Sequence, residues 1–268
     1  MDSLHRPGPS WLGRVRVVLV HPSHGGNVGA TARAMRVMGL RELWLVAPRF
    51  PGVAADPQAL AFASGATDVL GASREVATLD EALDSVHHAI AISAATREIA
   101  AAPMTPEAAC GELAARMSEG GSRAALVFGA ERTGLSIDQV QRCGQVVSIP
   151  GEPDYHSLNL SQAVQVMCWE LRRAALAPSP APAPSDPDAG PPASLGQTER
   201  FLEHFEQALT AIEFLDPAAP KKLMPRMRRL FLRAGLRTEE VDLLRGVCKQ
   251  MLLAAEGRLP GRLRRGGS

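Results

Sequence analysis

Ser157, Asn159 and Ser161 alternate in the stretch IPGEPDYHSLNLSQAV, where a strand end, a polar loop and a helix start follow one another closely. Val146, Val147, Ser148 and Ile149 read as a short buried strand, which Pro150, Gly151 and Pro153 then stop with turn chemistry. Leu160, Val164, Met167, Cys168 and Leu171 recur at helical spacing up to Arg172 and Arg173, basic charge that suits a helix C-terminus. The amides of such a helix start, flanked by hydroxyl and amide side chains, can hold a polar ligand at the C-terminal edge of a sheet. Simple capping of the helix by Ser157 or Asn159 explains the same residues equally well.

Two further clusters follow strands directly. Gly25-Gly26-Asn27-Val28-Gly29 resembles half of a dinucleotide fingerprint, but the next strand ends Val46-Ala47-Pro48, without the acidic residue a ribose would need. A nicotinamide cofactor is therefore disfavoured, and the chain has no Gly-Lys-Ser/Thr phosphate loop. Arg33 and Arg36 lie on the following helix; if it starts near Val28, Asn27 and Arg33 can both face the strand edge, although both arginines also fit an ordinary exposed face. Gly129-Ala130-Glu131-Arg132-Thr133-Gly134-Leu135 is the last cluster, and a helix cap with a charged turn accounts for it as well.

The elements that must hold these clusters alternate. Val15 to Val20 is a β-branched run typical of a buried strand, followed by a helix with Ala30, Ala34, Val37 and Met38 on one stripe and Gly39 as its stop. Leu43-Trp44-Leu45-Val46 completes a βαβ unit, which implies a parallel sheet. Short apolar strands recur at Ala89 to Ile92 and Ala124 to Phe128, between alanine-rich helical stretches around residues 59–63, 79–86 and 106–117. The expected fold class is α/β, a parallel sheet with helices on both faces.

APSPAPAPSDPDAGPP, residues 177–192, is a Pro-rich spacer. Beyond it Thr198 can cap one helix, with Phe201, Phe205, Leu209 and Ile212 on one face, and Thr238 another, with Val241, Leu244, Cys248 and Met251. This gives a first domain over residues 1–176, a linker over 177–197, a small all-helical domain over 198–257, and a basic tail over 258–268 without fixed structure. From Thr198 onward there are 14 basic and 9 acidic residues, against 15 and 19 before it, so a polyanion would prefer the C-terminal part. Residues 221–237 contain seven basic residues and no acidic one, which favours a phosphate-binding surface over a merely solvated helix face. The candidate RNA-binding residues are Lys221, Lys222, Arg226, Arg228, Arg229 and Arg233.

At 268 residues and 46% hydrophobic content, the chain can bury a substantial core. Its four cysteines are widely spaced with no C-x-x-C pair, which argues against a zinc site or a disulfide framework and for a reducing compartment. No apolar run approaches a membrane span and no signal-peptide core precedes the first strand, so a cytoplasmic location is expected.

Together the clusters form ordered motifs: N-x-G-x-x-x-R-x-x-x-x-x-G from Asn27 to Gly39, F-G-x-E-x-x-G-L from Phe128 to Leu135, and I-P-x(7)-S-L-N-L-S from Ile149 to Ser161. In this order they resemble the SpoU branch of the SPOUT class of RNA ribose methyltransferases. The start S-H-x-G-N-x-G-x-x-A-R-A-M at Ser23, the L-W-L-V strand and the R-R-L-F-x-R-A helical tail are similar to its TrmJ type, which 2′-O-methylates residue 32 of the tRNA anticodon loop. The resemblance covers most of residues 14–257. It implies a deep trefoil knot, an S-adenosylmethionine cofactor, a homodimer and a tRNA substrate, with no metal. By position it implies cofactor contacts at Ile92, Ser93, Ala94, Gly129, Ile149, His156, Ser157 and Leu158, and catalytic motif residues at Asn27, Arg33, Glu131, Ser157 and Asn159. Ala94-Ala95 and residues 99–102 lack the bulkier side chains of the family's loop, and residues 51–56 look like a small insertion.

The reaction so implied is in-line attack of a ribose 2′-oxygen on a sulfonium methyl, in which alignment matters most. A guanidinium essentially never deprotonates, so Arg33 is expected to hold a neighbouring phosphate and stabilise developing charge, while Ser157 and Asn159 position the ribose. Methylation of another tRNA or rRNA site, a non-catalytic RNA-binding protein on the same scaffold, and an ordinary doubly wound nucleotide enzyme are the rival readings.

Overall fold

β1 (Val15–Val20) is buried along its whole length, as a strand covered on both faces must be. Around it, a computed structural model describes residues 6–94, 103–155, 157–177 and 190–258. The chain continues through α1 (Gly25–Met38), β2 (Glu42–Val46), α2 (Pro57–Ala63), α3 (Thr67–Gly71), β3 (Arg74–Val76), α4 (Leu79–Leu83) and β4 (His88–Ile92). It then forms α5 (Pro106–Ser118), β5 (Ala124–Phe128), α6 (Ile137–Arg142), β6 (Gln145–Val147) and α7 (Leu160–Leu176). The six strands run in the order β3-β2-β1-β5-β4-β6, all pairings parallel. Between β1 and β5 the winding of the sheet changes direction, and a crevice for ligands is expected at the strand C-termini there.

Side chains alternate between two covered faces. Val17, Leu19, Leu43, Leu45, Ile90 and Leu126 join one core with residues of α1, α2, α5 and α7. On the other face Arg16 donates to Ala82 O of α4, with its guanidinium carbon 3.8 Å from the Trp44 ring centroid and its Nε 3.5 Å from Glu42. β6 has a neighbour on each side: β4 on one, and on the other Met104, whose N–H donates to Val146 O at 2.8 Å and whose carbonyl accepts from Ser148 N at 3.1 Å.

Several expectations need correction. α1 begins at Gly25 rather than near Val28; Ala34 and Met38 of the expected stripe are buried, together with Val28, Ala32 and Met35, while Val37 is 62% exposed. β6 ends at Val147, which leaves Ile149 in the following loop. The short elements α3 and β3 had no visible signal in the sequence, and α6 was missed although Ser136 and Gln139 form a capping box at its start.

Contacts divide the chain into two compact units, Met1–Ser185 and Asp186–Ser268. The second contains α8 (Leu195–Ala211), α9 (Leu223–Ala234) and α10 (Thr238–Ala255) around Phe201, Leu202, Ala208, Val241 and Cys248. Phe231 of α9 meets Phe201 edge-on, with centroids 4.9 Å apart. α8 is capped by Ser194 and not Thr198: Ser194 Oγ accepts from Gln197 N at 3.1 Å and Gln197 Oε1 accepts from Ser194 N at 2.8 Å. Thr238 likewise caps nothing, because it is the first residue of α10 and Arg237 holds the cap position. Residues 190–193 belong to this unit as well, since Ala193 N donates to Leu236 O and Thr238 N to Pro191 O.

Candidate functional site

The loops after β1, β4, β5 and β6 meet at the C-terminal edge of the sheet. A cavity of about 320 Å³ opens there, lined by Ile92, Ser93 and Ala94 after β4, Gly129 to Leu135 after β5, and Ile149, Ser157, Leu158, Leu160 and Ala163 around the start of α7. All the residues expected to contact a cofactor line it except His156, which lies outside the described residues. Gly129 must be glycine because a Cβ there would stand 2.1 Å from Gly134 C; the turn back to Leu135 crosses directly over it. Ser93 is 9% exposed, whereas Leu158, at 44%, forms the rim.

Beside the cavity the three motifs are joined by hydrogen bonds. Asn159 caps α7 with its Oδ1, which accepts from Ser161 N at 3.0 Å and Ser161 Oγ at 2.8 Å. Its Nδ2 donates to Asn27 Oδ1 at 3.0 Å, and Asn27 Nδ2 donates to Glu131 Oε1, also at 3.0 Å. Glu131 further accepts from Ser23 N at 3.1 and 3.2 Å and from Ser23 Oγ at 2.9 Å. Partial burial pushes the Glu131 carboxyl up, but the donors from Asn27 and Ser23 outweigh it and hold it below the usual carboxylate value. A carboxylate so saturated with donors fixes its neighbours and is a poor proton acceptor. The two roles open to the Ser-Leu-Asn segment are thus divided: Asn159 is both helix cap and network member, while Ser157 faces the cavity. Ser23 is the member that sequence reasoning missed; it opens the first motif, but nothing in its spacing pointed to a carboxylate partner.

Arg33 is not brought to this network. With α1 starting at Gly25, Arg33 stands six residues past Asn27, about 9 Å further along the axis and roughly a third of a turn around it. It is exposed, with no hydrogen-bond partner among the described residues.

In the helical unit, Lys222, Arg226, Arg229 and Arg233 fall at i, i+4, i+7 and i+11, on one side of α9, and Lys221 stands just before them. Arg228 points elsewhere. Its guanidinium grips Glu199 of α8, Nε to Oε2 at 3.1 Å, and the two side chains are 15% and 18% exposed, so Arg228 is removed from the phosphate-binding set. The four cysteines are free and buried; burial pushes the Cys110 and Cys143 thiols up to about 12, which does not suit a nucleophile. Among the described residues no group of His, Cys, Asp and Glu is placed to hold a metal, and no helix is long and apolar enough to cross a membrane.

Comparison with known proteins agrees with this geometry. Residues 14–169 match the SpoU rRNA Methylase family, and residues 196–260 match the C-terminal domain of the tRNA methyltransferase TrmJ. The chain is 42% identical over 236 residues to the tRNA (cytidine/uridine-2′-O-)-methyltransferase TrmJ of Salmonella typhimurium, covering 88% of this chain and 95% of that protein. It is 44% identical over 237 residues to the protein of the same name from Yersinia pestis, covering 88% and 90%. The crystal structure of TrmJ from Z. mobilis superposes with a TM-score of 0.71 at 31% identity, covering 87% of this chain and 97% of that one. With residues 14–169 and 196–260 both matched, and relatives above 40% identity covered over nine-tenths of their length, the chain belongs to the SpoU methylase family, in the TrmJ branch.

Proposed function

We propose that the protein is an S-adenosylmethionine-dependent tRNA ribose 2′-O-methyltransferase acting at residue 32 of the anticodon loop. The observation that carries this reading is the hydrogen-bonded chain Glu131–Asn27–Asn159 standing directly beside the cavity. About 320 Å³ falls in the lower part of the ~300–1,000 Å³ range of small-ligand pockets. The side chains of Ile92, Leu135, Leu158 and Leu160 offer apolar walls, and Ser93, Thr133 and Ser157 stand among them, a mixed lining that fits an adenosyl group. When bound, S-adenosylmethionine supplies an electrophilic methyl on sulfur. Ser157 and the amide pair Asn27 and Asn159 position the ribose, and Glu131 locks the orientation of Asn27 so that no amide has to turn as the reaction proceeds. Arg33, outside the cavity, holds a flanking phosphate and keeps its charge throughout. Lys221, Lys222, Arg226, Arg229 and Arg233 add a phosphate-binding face on the helical unit. A tRNA substrate sets the reaction in the cytoplasm.

Two structural readings accompany this one. β6 lies between β4 and Met104, two segments that follow one another in sequence, which supports a trefoil-knotted path. Val37 of α1 and Trp169 of α7 are 62% and 53% exposed, on two helices joined by the bond from Arg172 Nη1 to Met38 O at 3.2 Å. An apolar pair of this kind supports burial against a second copy in a homodimer.

The test is incubation with S-adenosylmethionine and tRNA transcripts, followed by nuclease digestion and mass spectrometry. A ribose-methylated nucleoside confined to the fragment bearing residue 32 is expected. A methyl group on a base, or on no RNA at all, would refute the reading.

A further inference from the structure

A second cavity, of about 310 Å³, lies between the loop after β1 and the chain leading into α2, with Ser23, His24, Phe50, Asp56 and Gln58 in its walls. Ser23 separates it from the first cavity, because Ser23 also binds Glu131, which lines that one. We propose that this second cavity receives the base of the nucleotide being methylated, with Phe50 as the stacking face and His24 and Gln58 at the base edge. This inference rests on the ribose-methylation reading above.

The chain segments that lead into the walls at Ser23 and Phe50 are tied to the sheet edge before any ligand arrives. His21 N donates to Val46 O at 2.8 Å, Arg49 N donates to Pro22 O at 3.1 Å, and His21 Nδ1 stands 3.0 Å from Ala47 O. These bonds clamp His21 and Ala47 in left-handed conformations, φ 52° and 42°, which residues with a side chain rarely adopt.

The chemistry of the lining selects a base over the rest of a nucleotide. Asp56 places a carboxylate in the wall, hostile to a phosphate and indifferent to a neutral ring. Phe50 is 37% exposed although large and aromatic, and Phe62, 58% exposed, has its ring 3.7 Å from where a Cβ on Gly26 would stand. Exposed rings beside hydrogen-bonding side chains are how proteins take single-stranded bases. Asp56 Oδ1 is engaged by Gln58 N at 2.8 Å, but the Gln58 amide and the His24 ring have no hydrogen-bond partner among the described residues. A glutamine amide both donates and accepts, so it can meet the amino and carbonyl edges of different bases.

The experiment compares full-length wild type, Phe50→Ala, Phe50→Tyr and Gln58→Leu on anticodon stem-loop transcripts with cytidine, uridine or an abasic nucleotide at the position that wild type methylates. Phe50→Ala should lower kcat/KM roughly tenfold to hundredfold, chiefly through KM, with S-adenosylmethionine affinity unchanged by calorimetry. Phe50→Tyr should restore most of the loss, and Gln58→Leu should alter the cytidine-to-uridine ratio. On the abasic transcript wild type should fall to or below the level of Phe50→Ala, and Phe50→Ala should lose less there than wild type does, because its stacking contact is already gone. Normal kinetics in Phe50→Ala, or a second equal loss on the abasic transcript, would overturn the base pocket and leave the methyltransferase reading intact. Failure of wild type to methylate any ribose would overturn both.

Discussion

Glu131 keeps its charge because its neighbours donate to it, and that arrangement can be measured. In Glu131→Gln an amide N–H2 replaces one acceptor oxygen and meets either the Ser23 or the Asn27 donors, so a loss of about 1–3 kcal/mol in urea denaturation at neutral pH is expected. The folded carboxyl sits below its ordinary value of 4.5, so the stability it contributes is present above pH 4.5 and disappears as pH falls through the lower, folded value. The gap between wild type and Glu131→Gln should therefore close in acid. His88 acts in a higher window. Burial, reinforced by Arg116 and His87, pushes its imidazole from 6.5 down to about 4, so the unfolded chain takes up a proton that the folded one refuses. Stability should decline as pH drops from about 6.5 toward 4, and His88→Gln should flatten that decline in denaturation curves taken across the interval. Asn27, Glu131 and Asn159 were legible as one site through the resemblance of the three ordered motifs to a known family; taken singly, Asn159 read equally well as a helix cap and Glu131 as part of a charged turn. Arg228 was not, since whether an arginine faces a phosphate or a glutamate on the next helix is settled by packing.

At the scale of elements, boundaries follow small local bonds. α1 begins three residues before the expected start because Gly25 and Gly26 join the helix, despite a low helix propensity, where α2 lies against them. The closest approach is at Gly29, where a Cβ would stand 2.0 Å from Ala59 O, a backbone atom that cannot swing aside. Gly29→Ala should thus force α2 away, cost about 1–3 kcal/mol in thermal denaturation and raise hydrogen exchange along α2. α8 starts ahead of Thr198 because Ser194 and Gln197 satisfy each other's backbone amides; Ser194→Ala should lower the melting temperature of the helical unit by removing about 1 kcal/mol. The longer strands were visible as apolar runs, whereas β3, with two of its three residues exposed, had no pattern to show.

At the scale of the molecule, the acid-free segment becomes one basic side of α9, and Arg228 becomes an internal brace. Replacing Lys221, Lys222, Arg226 and Arg233 with Gln should leave circular dichroism unchanged, weaken tRNA binding and flatten the slope of log affinity against log salt by about 0.9 for each phosphate no longer neutralised. Arg228→Gln should instead loosen α8 from α9 with little change of salt slope, and a fully retained slope in the quadruple variant would refute the phosphate face. For the proposed dimer, Trp169→Glu should shift sedimentation toward the monomer. The position of β6 also dictates how the protein is made. Until residue 128 has left the ribosome β4 has neither neighbour, and until residue 147 has left it one edge is still unpaired, so most of the first unit emerges before the sheet can close around β4. A nascent chain stalled in that interval would present an open strand edge to every other chain nearby. Stalling translation within residues 93–145 should therefore raise aggregation of the nascent chain above that of chains stalled after the whole first unit has emerged.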